Sequence, residues 1–157
     1  MTTGTLIAII GAAVAAIVSG LGSAIGVQMG GKAAAGVTAE KPELFGKLLI
    51  LQALPGTQGI YGFLVAVLVL VRIGLLGGTP VDLSKEQGWA FFGACMPIAI
   101  IGFASAIYQA KTAVAAIHMT AKQPDASAKG MTMTAMVETY AILALLSSIL
   151  LLFGIAV

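Results

Sequence analysis

The chain has 157 residues, of which 59% are hydrophobic and 9% charged, and its formal net charge is +2. Soluble domains carry about 25% charged residues, so a surface this poor in charge belongs in lipid. The small positive excess offers a nucleic acid little to bind, and no glycine-rich phosphate loop ending in Lys-Ser/Thr points to nucleotide chemistry. The one cysteine, Cys95, lies in an apolar run and reads as a small apolar side chain. The one histidine, His118, has no Cys, His or Asp nearby in sequence and reads as an interfacial residue rather than a metal ligand.

A membrane span needs about 20 mainly apolar residues. Four segments qualify, at 5–35, 46–77, 87–119 and 127–156. The first is apolar from Leu6 with no Lys or Arg ahead of it, and is read as a retained span rather than a signal peptide. Helix is the expected form, because lipid supplies no partner for open backbone groups. Three connections remain, marked by Pro or Gly: Glu40-Lys41-Pro42-Glu43, Gly77 through Glu86, and Lys122-Gln123-Pro124-Asp125. Lys32, Lys41, Lys47, Lys111, Lys122 and Lys129 flank the first and third connections, whereas only Arg72 and Lys85 flank the second. The excess of basic residues on the cytoplasmic side of membrane proteins predicts cytoplasmic first and third loops, with both termini and the second loop outside.

The two halves align without gaps at an offset of 82 residues, the distance from Pro42 to Pro124. At that offset Ser23-Ala24-Ile25 meets Ser105-Ala106-Ile107, Gly20 meets Gly102, Lys47 meets Lys129 and Thr57 meets Thr139. The sequence thus predicts an all-α membrane domain of two tandem hairpins, residues 1–82 and 83–157. Two spans per repeat give both copies the same orientation, which suits repetition around an axis along the membrane normal. Small residues recur every four positions at Gly22, Gly26, Gly30 and Ala34, at Gly11, Ala15, Ser19 and Ser23, and at Gly102, Ala106 and Ala110. Such rows let helices approach closely in lipid, and on alternate helices they predict the inner wall of a homo-oligomeric ring.

One aligned pair differs in kind: Glu138 stands where the first repeat has Gly56. A carboxylate midway along the last span costs about 2.5–3.5 kcal/mol on insertion scales and marks a functional site. The second span places Leu54-Pro55-Gly56-Thr57-Gln58-Gly59-Ile60-Tyr61 at matching depth, with Thr57, Gln58 and Tyr61 able to share a helix face. Pro55 has no N–H and predicts a bend that turns carbonyl oxygens toward a ligand. Gln109 in the third span adds another amide. Carboxylate, amide, hydroxyl and carbonyl oxygens suit a hard cation. A proton needs only the acid and one partner, so two glutamines and a threonine favour Na+ over the alternative, H+.

These residues resemble the duplicated proteolipid, or K subunit, of V-type ATPases, and are especially similar to bacterial sodium-translocating members. The most specific stretches are Leu54-Pro55-Gly56-Thr57-Gln58-Gly59-Ile60-Tyr61-Gly62-Phe63 and Met136-Val137-Glu138-Thr139-Tyr140-Ala141-Ile142-Leu143. The resemblance implies a rotor-ring subunit that is not itself an enzyme and carries Na+ on Glu138. It implies sodium ligands from the Leu54 carbonyl, the side chains of Thr57, Gln58 and Gln109, and the Glu138 carboxylate, with Tyr61 hydrogen-bonded to Glu138. It also implies partners: further copies of the chain, a stator membrane subunit bearing an essential arginine, a central stalk on the cytoplasmic loops, and lipid, but no nucleic acid. The location it implies is a bacterial cell membrane. Two other classes share four spans. A small drug/proton antiporter typically carries its acid in the first span among aromatic residues, not in the last among amides. A pore-forming or fusion proteolipid would leave the polar cluster without a purpose.

Overall fold

Apolar stretches this long can satisfy their backbones only by coiling, and in the computed structural model, which describes residues 1–157, they do. The first span is helix α1 (Thr3–Glu40). The second consists of α2 (Phe45–Ala53) and α3 (Thr57–Arg72), joined by a 3-10 turn at Leu54–Gly56. The third is α4 (Lys85–Lys122) and the fourth α5 (Ser127–Gly154). At about 1.5 Å per residue, α1 and α4 are each about 57 Å long, so both project well beyond a hydrocarbon core of about 30 Å. The first helix therefore runs past the expected 35 to Glu40. The second span stops at Arg72, short of the expected 77. There Gly74 and Gly77 adopt φ of 74° and 78°, a left-handed backbone that glycine accepts without strain.

The duplication extends to the turns. Both α1 and α4 have 38 residues and begin and end 82 positions apart. Each is followed by one non-helical residue, Lys41 or Gln123, whose N–H donates to the Val37 or Met119 carbonyl at 2.8 Å. A 3-10 turn opened by Pro42 or Pro124 then leads into the returning helix. The hairpins are also tied together here, since Lys41 Nζ donates to the Ala121 carbonyl at 2.5 Å and Lys47 Nζ to the Pro124 carbonyl at 2.9 Å.

Helix α1 packs most extensively on α4, with α3 on one side and α5 against α4 on the other. The small rows make this possible. A Cβ on Gly22 would stand 2.7 Å from Phe103 Cα, one on Gly26 2.7 Å from Pro55 Cβ, and one on Gly30 3.1 Å from Gln52 Cα. Within the protomer these rows seat α1 against α4, the 3-10 turn at Leu54–Gly56 and α2. Spacing shows that a face is small without showing which helix comes to it.

The apolar core has two parts. One, around Phe91, Ile98, Val65, Val69 and Leu152, fills the half near the second loop. The other, around Leu44, Leu48, Leu51 and Ile117, fills the half near the first and third loops. Between them along α3 and α4 lie Gln58 and Gln109, both fully buried. At the second-loop end, Ser84 and Gln87 form a reciprocal cap on α4. Thr2 Oγ1 donates to the Leu83 carbonyl at 2.7 Å, which fastens the start of α1 to that loop. Arg72, taken from sequence only as a loop-flanking charge, lies over the Phe153 ring and donates to the Ile155 carbonyl at 2.6 Å, clasping the end of α5.

Candidate cation site

The break in the second span shapes the site. Pro55 cannot donate a backbone hydrogen bond, and the chain tightens into a 3-10 turn in which the Leu54 carbonyl accepts from the Thr57 N–H. The Thr57 hydroxyl donates to the same carbonyl at 3.1 Å and lies 3.4 Å from Gln58 Oε1. The Gly59 N–H, at the start of α3, donates to Ser23 Oγ at 2.8 Å. The bend expected from Pro55 thus gathers three oxygens, Leu54 O, Thr57 Oγ1 and Gln58 Oε1, close to the proline.

The third and fourth spans complete the cluster. Gln58 Nε2 donates to Gln109 Oε1 at 2.6 Å, and Gln109 Nε2 donates to the Thr134 carbonyl at 3.2 Å. The Tyr61 hydroxyl donates to Glu138 Oε1 at 2.5 Å. Thr57, Gln58 and Gln109 thereby form one hydrogen-bonded group and Tyr61 and Glu138 a second, drawn from α3, α4 and α5. The Glu138 side chain hydrogen-bonds Tyr61 alone, with none to Thr57, Gln58 or Gln109. Tyr140 and Tyr108, neighbours of the cluster in sequence, point outward and are exposed.

The chemistry of this donor set is narrow. No three His, Cys, Asp or Glu side chains come together, so soft or transition-metal coordination has no basis here. Carbonyl, amide and hydroxyl oxygens with one carboxylate match a hard monovalent ion. Each amide oxygen has two lone pairs and can accept a hydrogen bond while facing a cation. The half-buried Glu138 is the only acid in the middle of the spans.

Sequence reasoning missed Ser105. It lies 3.4 Å from Gln58 Nε2 and donates to the Val137 carbonyl at 3.1 Å, linking the amide pair to the residue before Glu138. Its signal was present in the alignment of Ser23 with Ser105 across the halves, two serines kept where alanine would pack as well. Replacing Tyr61→Phe removes a hydrogen bond to an ionised group, each worth about 1.5–3 kcal/mol. The expected result is transport that still proceeds but needs roughly 10–100-fold more cation for half-maximal rate, read from a cation titration of transport.

Two segments of equal length, residues 10–69 and 92–151, match the family of the ATP synthase C subunit. They start 82 residues apart, the offset that relates the two hairpins. The chain belongs to the ATP synthase C subunit family. It is 49% identical over 148 residues to the V-type sodium ATPase subunit K of Enterococcus hirae, covering 94% of this chain and 91% of that one. It is 40% identical over 146 residues to the A-type ATP synthase subunit K of Methanocaldococcus jannaschii, covering 93% and 61%. To the 16 kDa proteolipid of the V-type proton ATPase of Homo sapiens it is 29% identical over 117 residues, covering 74% and 72%. As a member of this family the chain is a multi-pass membrane proteolipid, an ion-translocating component without catalysis of its own. The antiporter and pore-former readings fall away.

Proposed function

We propose that this chain is the rotor-ring proteolipid of a V-type sodium ATPase, and that each copy carries one Na+ on Glu138. The observation that carries the reading is the buried Gln58–Gln109 pair, adjoining Thr57 and the Leu54 carbonyl, at the depth of a lone carboxylate. A proton carrier has no use for two fully buried amides, and the similarity to a sodium ATPase subunit supports the same ion. The same rotor role with H+ is the alternative.

In this reading the repeats are residues 1–82 and 83–157, and copies of the chain close into a ring. The sodium ligands are Leu54 O, Thr57, Gln58, Gln109 and Glu138, and Tyr61 holds the carboxylate in place. Carboxylate and Na+ cancel in charge, so a loaded site can turn past lipid where an empty, charged one cannot. At a stator subunit an arginine supplies the alternative counter-charge, and Na+ leaves. A second water-filled path reloads the site, which couples one ion per chain to rotation in either direction. The first and third loops, which most of the lysines flank, face the cytoplasm and dock a central stalk.

Carbodiimide labelling tests the site. The reagent attacks protonated carboxyls in apolar settings, so Glu138 is expected to be the labelled residue. Na+ competes with the proton for the carboxylate, and fewer protons compete at higher pH. Added Na+ is therefore expected to slow labelling, and the concentration that halves the rate is expected to fall as pH rises. Labelling indifferent to Na+ at every pH would leave H+ as the ion.

A further inference from the structure

Two serines at one position of the duplicated hairpin stand behind the cation site. Ser23 on α1 and Ser105 on α4 correspond at the 82-residue offset, and both are buried. A serine inside a helix usually returns its hydroxyl to the carbonyl one turn back, as Ser19 does. These two instead reach the second span of their own hairpin. Ser23 Oγ accepts from the Gly59 N–H at 2.8 Å, and the Ser105 hydroxyl donates to the Val137 carbonyl at 3.1 Å. Gly59 corresponds to Ala141, whose helical acceptor four residues back is Val137. The two serines thus hold the same turn of twin helices, one at its N–H and the other at its carbonyl.

Both holds bear on ion ligands. Helix α3 begins directly after the proline turn, and no side chain of its own segment caps it. Gly59 is its third residue, so Ser23 supplies from α1 the oxygen that an N-cap side chain would give. Glycine permits the approach: a Cβ on Gly59 would stand 3.2 Å from Ser23 Cβ and 3.3 Å from Gly20 Cα. The cap fixes the first turn of α3, which carries Thr57 and Gln58. Ser105 acts on the Gln58 side chain. Its hydrogen is committed to Val137, so its oxygen faces Gln58 Nε2 at 3.4 Å, while Gln109 Oε1 takes the other amide hydrogen at 2.6 Å. With both hydrogens engaged, Gln58 Oε1 is left on the side of the Thr57 hydroxyl. A flipped amide would set its oxygen against Gln109 Oε1, with no hydrogen between them.

We propose that Ser23 and Ser105 are positioning residues for the cation: they set the spacing and orientation of the neutral oxygens of Thr57 and Gln58. This role rests on the sodium site proposed above. Sodium needs those oxygens, whereas a proton on Glu138 needs only the carboxyl group and its Tyr61 partner. Loss of either serine hydroxyl therefore weakens sodium and spares the proton.

Carbodiimide labelling of Glu138 in purified rings, at one fixed pH, reads the two separately. In Ser23→Ala and in Ser105→Ala the rate without sodium is expected to match that of the unaltered ring. The sodium concentration that halves the rate is expected to rise roughly 2–10-fold, the loss of one neutral hydrogen bond. Ser19→Ala, also buried on α1 but bonded to its own helix, is expected to change neither quantity. If sodium protects the unaltered ring and an unchanged concentration protects either variant, the positioning role is overturned and the sodium site stands. An altered sodium-free rate, an equal shift in Ser19→Ala, or loss of the ring's native mass would make the serines packing residues and overturn the role as well. No protection of the unaltered ring by sodium would overturn the sodium reading, and this role with it.

Discussion

Replacing the membrane carboxylate by its amide, Glu138→Gln, is expected to abolish sodium transport while leaving the assembled ring intact. The side chains are nearly the same size, and a glutamine oxygen can still accept from the Tyr61 hydroxyl, so packing between α3 and α5 is retained. What disappears is the charge that neutralises the ion. An uncompensated Na+ in a site facing lipid bears a burial cost of several kcal/mol, and each 1.4 kcal/mol is tenfold in affinity, so binding is expected to weaken by roughly 100-fold or more. In vesicles containing the whole complex, ATP-driven uptake of radioactive sodium is expected to fall to background, with the ring's native mass unchanged. Uptake near the wild-type rate would remove Glu138 from the role of carrier.

The second large effect is expected at Gln109. Its Oε1 accepts from Gln58 at 2.6 Å, its Nε2 donates to Thr134 at 3.2 Å, and the side chain is fully buried. The change Gln109→Leu keeps the volume roughly constant, removes one ion ligand, and leaves the Gln58 amide donor only the longer 3.4 Å bond to Ser105 Oγ, a loss of about 0.5–1.5 kcal/mol. Losing both a ligand and its neighbour's support typically costs about 10–100-fold in metal affinity. The sodium concentration for half-maximal ATP hydrolysis by the complex is expected to rise by roughly that factor, while the rate at saturating sodium is retained because the carboxylate remains. An unchanged sodium requirement would mean that Gln109 serves only packing. That result would weaken the case for Na+ over H+.

Much of this was legible in the sequence because lipid imposes few solutions. Four long apolar stretches with few charges can only be helices, and the 82-residue offset between the halves marks the hairpin repeat. The lone acid and the Pro55-Gly56-Thr57-Gln58 run stood out because polar groups are rare at membrane depth. Less legible was what depends on which helix lies beside which. Gly22, Gly26 and Gly30 announced close packing, yet the partners turned out to be Phe103, Pro55 and Gln52 of the same chain. Ser105 was hidden because a serine in a helix usually returns its hydroxyl to its own backbone, as Ser19 does to the Ala15 carbonyl at 2.6 Å. Ser105 reaches α5 instead. The clasp of Arg72 on Ile155 joins residues 83 positions apart, and no local pattern announces it.

Equilibrium binding of radioactive sodium to purified rings is the most direct test of the central claim, that a carboxylate and neutral oxygens within one chain hold the transported ion. The expected result is one Na+ bound per chain in the unaltered protein, displaced as pH falls, with binding lost in Glu138→Gln. No saturable sodium binding to the unaltered ring, or the same stoichiometry in Glu138→Gln, would contradict it.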